Sequence, residues 1–234
     1  MSLLLGERMV GGYGGADILR GCTVGAARGE VTVIVGPNGA GKSTAMKAML
    51  GLLDLRGGRV ALDGRDITRL SPQQRVAQGI AFVPQTHNVF TTMTVQENLQ
   101  MGAYLSAADS AAVMARVYDL FPVLRDKRHQ PAGELSGGQR QQVAVGRAMM
   151  SSPRVLMLDE PTAGVSPIVM DELFDRILDI KSTGIAILMV EQNARQALSI
   201  ADQDYVLVTG KNRHAGTGQA LLADPAVRKA FLGG

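Results

Sequence analysis

With 234 residues, 46% of them apolar, the chain can bury a packed core and does not have the composition of a disordered segment. Its 24 basic and 21 acidic residues leave a net charge of +3, too mild and too dispersed to mark a nucleic-acid surface. The single cysteine, Cys22, excludes an intrachain disulfide framework, and no apolar run reaches the roughly 18 to 20 residues that span a bilayer.

The run Leu3 to Leu5 is too short for a signal peptide, so the chain is expected to be soluble as written. If it works at a membrane, another polypeptide must hold it there. The glycine-rich first 30 residues are expected to hold strands of a small antiparallel piece. Val31–Val35 predicts a buried strand, and after Lys42 the residues Met46, Met49, Leu50 and Leu53 recur at helical spacing. Ile80–Val83 predicts the next strand. From about 86 to 150 there are helical patterns, such as Val113, Val117, Leu120 and Phe121 ahead of Pro122, but no convincing strand.

Val155–Leu158 predicts a further strand. Ser166 and Pro167 then read as an N-cap followed by proline at the first helical position. Met170, Leu173, Phe174, Ile177 and Leu178 line one helical face, and Gly184 follows the end. Ile185–Val190 and Tyr205–Val208 complete the strands. These runs lack alternation, as expected of strands covered on both faces. The pattern predicts an α/β fold with a largely parallel sheet, in which 1–85 and 151–234 form the core and 86–150 an inserted helical subdomain.

Three motifs carry chemistry. Gly36-Pro37-Asn38-Gly39-Ala40-Gly41-Lys42-Ser43-Thr44 fits G-x-x-x-x-G-K-[ST], follows a clean strand and opens a clean helix. Its glycines let backbone N–H groups converge on phosphate oxygens, and the helix adds the positive end of its dipole. Lys42 supplies a point charge, and the Ser43 hydroxyl can ligate Mg²⁺. Asp159 and Glu160 end an apolar strand, where ligands of α/β sheets gather. Neighbouring strand residues point to opposite sides, so Asp159 is read as part of a Mg²⁺ shell and Glu160 as the base that activates water. Ser136-Gly137-Gly138-Gln139, within L-S-G-G-Q, reads as a capped helix start whose glycines admit an anion.

In this order the motifs resemble the ATP-binding cassette (ABC) ATPases, over essentially the whole chain. The resemblance implies ATP and Mg²⁺ as ligands and an aromatic, Tyr13, stacked on adenine. Gln85 matches the glutamine that touches Mg²⁺ and the membrane partner, which makes Ser43, Gln85 and Asp159 the metal-side residues. It further implies that Ser136 to Gln139 cover the γ-phosphate of a nucleotide held by a facing subunit, so that two chains close head to tail on two ATP molecules. The chain departs from the pattern twice. Gln192 stands where most of the family has a histidine at the γ-phosphate, and Ser166 where an aspartate is common. Gln192 can donate the same hydrogen bond but cannot become a cation near neutral pH; with Lys42 and Glu160 it makes up the catalytic set.

The combination of V-E-Q-N (190–193) with G-V-S-P-I (164–168) is similar to the ATPases of branched-chain amino-acid importers and their relatives for urea and amides. The tail L-L-A-D-P-A-V-R-K-A-F-L-G-G is similar too. This likeness implies a peripheral subunit on the cytoplasmic membrane face, bound to integral permease chains near Gln85 and residues 86 to 100. A second copy or a sister ATPase would be its partner, an extracytoplasmic binding protein would deliver solute, and no regulatory domain would follow the core. A soluble ABC ATPase acting on nucleic acid or ribosomes would call for a basic, aromatic-rich segment, which is lacking. A P-loop kinase would give L-S-G-G-Q no purpose. His87, His129 and His214 lack metal-ligand spacing and receive no role.

Overall fold

The computed structural model describes residues 2–104 and 109–231. Its first half comprises β1 (Ser2–Gly11), β2 (Leu19–Ala27), β3 (Val31–Val35), α1 (Lys42–Leu50), β4 (Gly57–Leu62), β5 (Arg65–Asp66), α2 (Pro72–Ala77) and β6 (Ile80–Val83). The helices α3 (Val95–Gly102), α4 (Ser110–Leu120), α5 (Pro122–Asp126) and α6 (Gly137–Met149) follow. The chain then runs through β7 (Val155–Asp159), α7 (Pro167–Ser182), β8 (Ala186–Val190) and α8 (Ala194–Ile200). It ends with β9 (Gln203–Val208), β10 (Lys211–Gly216), α9 (Gly218–Ala223) and α10 (Pro225–Phe231).

Two sheets result. The first 30 residues contribute β1 and β2 to an antiparallel sheet of order β2-β1-β4-β5. The second sheet has order β10-β9-β3-β8-β7-β6, parallel from β9 to β6 with β10 antiparallel at its edge. Every residue of β3, β7 and β8 is buried, which explains why their sequences run apolar without alternation. Side chains still alternate between faces. Val33, Leu156 and Ile187 pack with the helical side of the sheet, whereas Ile34, Met157 and Leu188 pack toward α1. The helix α1 thus lies between the two sheets, and its fully buried Met46 and Met49 each contribute about 1.5–3 kcal/mol of burial.

β4, β5 and β10 were not anticipated from sequence. The first begins Gly-Gly-Arg, the second has two residues, and β10 is the polar run Lys-Asn-Arg-His-Ala-Gly; none offers the continuous apolar signal of a central strand. Ser166 does precede α7 with extended backbone and Pro167 does take the first helical position, but the Ser166 hydroxyl makes no capping hydrogen bond. The last three residues of the tail likeness, 232–234, lie outside the described residues. Among the described residues no helix is long and apolar enough to cross a membrane.

Arg75 of α2 explains where α1 stops. It is 2% exposed, and its guanidinium donates to the carbonyls of Ala48 and Met49 (2.9 and 2.8 Å), Leu70 (3.0 Å) and Thr68 (2.7 Å). Two of these are terminal carbonyls of α1, which have no partner inside the helix and sit at its negative dipole end. Gly51, in a left-handed conformation at φ 84, turns the chain away immediately after. Arg75→Leu removes the guanidinium donor of four carbonyls, of which Ala48 keeps the Gly51 amide at 3.1 Å, and is expected to lower stability by about 2–4 kcal/mol. Urea unfolding measures it, and an unchanged midpoint would mean these carbonyls find other donors.

Candidate active site

β3, β8 and β7 are neighbours in the parallel sheet, and all three end at the same edge. From these ends emerge the loop 36–44, the pair Asp159 and Glu160, and the pair Glu191 and Gln192. The ends of parallel strands are where such sheets hold ligands, because the crossover chain departs there and leaves a crevice.

The loop 36–44 is shaped by contacts only glycine permits. Gly36 has φ 150, and a Cβ on it would lie 2.2 Å from the Leu207 carbonyl oxygen. Pro37, Asn38 and Gly39 form an exposed arch, while Ala40 is buried and its carbonyl accepts from the Gly210 amide at 2.9 Å. Gly41 opens α1 at φ 97. Lys42 is 6% exposed, and its Nζ donates back across the loop to the carbonyls of Gly36 (2.8 Å) and Pro37 (3.2 Å). Burial draws its pKa below the usual lysine value, and the carboxylates of Glu160 and Asp159 oppose that shift. The Ser43 hydroxyl donates to Asp159 Oδ1 at 2.7 Å, and Thr44 sits half-buried in the first turn of α1. An N-terminal helix turn, a glycine-shaped loop and a buried lysine together give this cradle the features that suit an anion.

The expected alternation of Asp159 and Glu160 along a strand does not describe the pair. β7 ends at Asp159, and Glu160 takes a left-handed backbone, φ 48, with its amide donating to the Val190 carbonyl at 2.9 Å. A non-glycine residue in this region costs of order 1–3 kcal/mol. The turn, not the pleat, therefore sets the direction of Glu160. Its Oε2 accepts from Gln85 Nε2 at 2.6 Å. Asp159 is 6% exposed.

Tyr13 lies in the loop between β1 and β2 and is 48% exposed. That loop flanks the cradle: a Cβ on Gly41 would touch Ile18 Cγ2 and Leu19 Cδ2 at 3.4 and 3.3 Å. Gln192 is exposed just beyond β8. Ser136 caps α6 in a full capping box, its hydroxyl accepting from the Gln139 amide and its own amide donating to Gln139 Oε1. The two glycines differ. A Cβ on Gly138 would meet Val169 Cγ1 at 2.2 Å, so this residue is small for the sake of α6 packing on α7. A Cβ on Gly137 would meet only the Gly164 carbonyl at 3.9 Å, which leaves its surface open to an incoming group.

Residues 19–163 match the family model described as ABC transporter. The chain belongs to the ABC transporter family. It is an ATPase of that family, whose ATP hydrolysis is coupled to transport. Among curated relatives, it is 40% identical to the "High-affinity branched-chain amino acid transport ATP-binding protein BraG" of Pseudomonas aeruginosa, over 95% of this chain and 96% of that one. It is 42% identical to the "Probable branched-chain amino acid transport ATP-binding protein LivF" of Archaeoglobus fulgidus, over 95% of each. The "Lipopolysaccharide export system ATP-binding protein LptB" of Acidithiobacillus ferridurans is 35% identical over 99% of this chain and 97% of that one. A solved ATP-binding cassette of an ABC transporter in its ADP conformation superposes with a TM-score of 0.89 at 31% identity, each chain fully covered.

Two polar links in this ABC ATPase escaped the reading of its sequence. Asn88 Nδ2 donates to Gln141 Oε1 at 2.6 Å, joining the segment after Gln85 to α6. Glu191, noted only as a letter of V-E-Q-N, is 2% exposed and bonded to Thr162. The one available signal was a carboxylate placed directly after a fully apolar strand, a costly position unless partners await it.

Proposed function

We propose that this chain is the nucleotide-hydrolysing subunit of an importer for branched-chain amino acids or related small polar solutes. Support for the cargo class comes from the relatives named for branched-chain amino-acid transport, at 40% and 42% identity. ATP occupies the loop 36–44, with Tyr13 against adenine and Lys42 on the terminal phosphates. The residues around the cradle suit Mg²⁺: the Ser43 hydroxyl, the Asp159 carboxylate and the Gln85 amide oxygen are hard oxygen donors. Among the described residues no cluster of three His, Cys, Asp or Glu could hold a metal unaided. That agrees with an ion shared with substrate phosphates, whose charge it would neutralise when bound.

Glu160 accepts the proton of the attacking water, a role typically worth 10² to 10⁴ in rate. Gln192 donates to the γ-phosphate without carrying charge. Ser136, Gly137, Gly138 and Gln139 cover the γ-phosphate of a facing copy or sister ATPase, so that ATP binding draws two subunits together. The observation that carries coupling is the 2.6 Å hydrogen bond from Gln85 to Glu160. The segment that opens with Gln85 continues into an apolar surface where Phe90 and Met101 are 45% and 46% exposed, suited to a permease helix on the cytoplasmic membrane face. A solute-binding protein on the opposite face would deliver the cargo.

Export is the second reading, favoured by the 35% identity to a lipopolysaccharide export ATPase. Inverted membrane vesicles containing this chain and its permeases, with the solute-binding protein enclosed in the lumen, separate the two. Import predicts that ATP added outside such vesicles drives preloaded labelled leucine out, toward the face bearing the ATPase. ATP-independent leucine movement, or ATP-driven extraction of lipid-linked cargo instead, rejects the importer assignment.

A further inference from the structure

We propose that Glu191 is a positioning residue that locks the loop carrying Glu160 to the loop carrying Gln192, so that both meet the γ-phosphate together. The inference rests on the roles proposed above for those two residues. Glu191 stands at the meeting point of three chain segments. Its amide donates to the Ile34 carbonyl of β3 at 3.2 Å, next to the phosphate loop. Its Oε1 accepts from the Thr162 amide at 3.1 Å and from the Thr162 hydroxyl at 2.9 Å. Its Oε2 lies 2.9 Å from the same hydroxyl and accepts from the Gln192 amide at 3.3 Å. Thr162 is only 5% exposed and lies two residues beyond Glu160.

Packing alone gives no reason for a carboxyl group at this point. Burial pushes the Glu191 carboxyl up to about 7, the Thr162 and Gln192 donors oppose the shift, and the charge of Glu160 adds to it. An apolar side chain would avoid that penalty but would leave the buried Thr162 amide and hydroxyl without the acceptor they have here. What it could not do is hold two loops at once through one rigid, planar group. Glu160 itself sits in a strained left-handed turn, and such a turn persists only where its surroundings over-determine it. The bond to Thr162 supplies that restraint from within the same turn, since the Ala163 amide closes back on the Glu160 carbonyl at 3.1 Å.

The test compares E191A, E191Q, T162V and the E191A/T162V double variant in the complex with permease chains, with E160Q as reference. A displaced base loses rate while nucleotide binding at the phosphate loop persists, so E191A should lower kcat about 10²-fold with KM for ATP within about twofold. Glutamine keeps the planar shape and an acceptor for the Thr162 amide, so E191Q should retain activity within about fivefold of the parent. T162V loses both hydroxyl contacts but keeps the Thr162 amide bond to Oε1, so its kcat should fall between the parent and E191A, and the double variant should be no worse than E191A, because the two residues form one link. If E191A fails to fold, T162V with E191Q decides alone. Parental kcat in T162V or E191A, or additive losses in the double variant, overturns the proposal. Should E160Q hydrolyse normally, the reading of Glu160 as base fails instead; inactive E160Q beside fully active E191A sinks only the lock.

Discussion

Glu160→Gln is expected to lower ATP turnover by about 10² to 10⁴ while nucleotide binding persists. The amide matches the carboxylate in size but cannot take a proton from water. Its carbonyl oxygen can still accept the Gln85 Nε2 hydrogen bond, 2.6 Å long in the parent, so the local geometry has a reason to survive. The left-handed backbone at φ 48 is equally costly for both residues, so strain does not change between them. With binding intact and hydrolysis slow, the variant should accumulate as an ATP-held dimer. Phosphate release measures the first effect, and size-exclusion chromatography with Mg²⁺ and ATP the second. Parental turnover would remove Glu160 as the base.

Gly137→Asp should abolish ATP-driven association, weakening it by about 10²-fold or more, while ATP binding to the single chain stays unchanged. The space around Gly137 is open, so the fold can take the side chain. Aspartate also suits a first helical turn, where the dipole favours negative charge. The added carboxylate would, however, face the γ-phosphate of the opposing nucleotide, and like charges brought together at an interface cost several kcal/mol. This variant is cleaner than Ser136→Ala. The Ser136 hydroxyl is engaged in capping α6, so its removal also costs about 1 kcal/mol of helix stability. Analytical ultracentrifugation with and without Mg-ATP reads the dimer, and a fluorescent nucleotide reads the single-chain site. Equal losses in both would contradict the assignment of this turn to a facing subunit.

The contrast between Gly137 and Gly138 shows how far the sequence could be read. The pair was legible as a helix start because the capping box acts within three residues of Ser136. Nothing local distinguished the two glycines, since the difference lies in Val169, thirty-one residues past Gly138. The same limit applies to β4, whose partner β1 lies some fifty residues earlier in the chain; β10 pairs with the preceding β9 across a two-residue turn, but its polar sequence carries no apolar period of its own. It also applies to Glu160. Strand alternation was a sound rule up to Asp159, but a left-handed turn ends the strand one residue earlier than the acids suggest.

By itself the sequence determined the α/β order, the phosphate loop, the acid pair after a buried strand and the capped start of α6. Each of these depends on interactions between residues a few positions apart: hydrophobic period, glycine conformation, and a cap reaching its own first turn. The tertiary structure alone decided which polar groups meet. Ser43 and Asp159 are 116 residues apart, Gln85 and Glu160 are 75 apart, and Thr162 and Glu191 are 29 apart. Those pairs exist because packing places β3, β8 and β7 side by side in an order different from their order in the chain. That arrangement comes from covering both faces of the sheet at once, a condition satisfied by the whole chain and written in no single stretch of it.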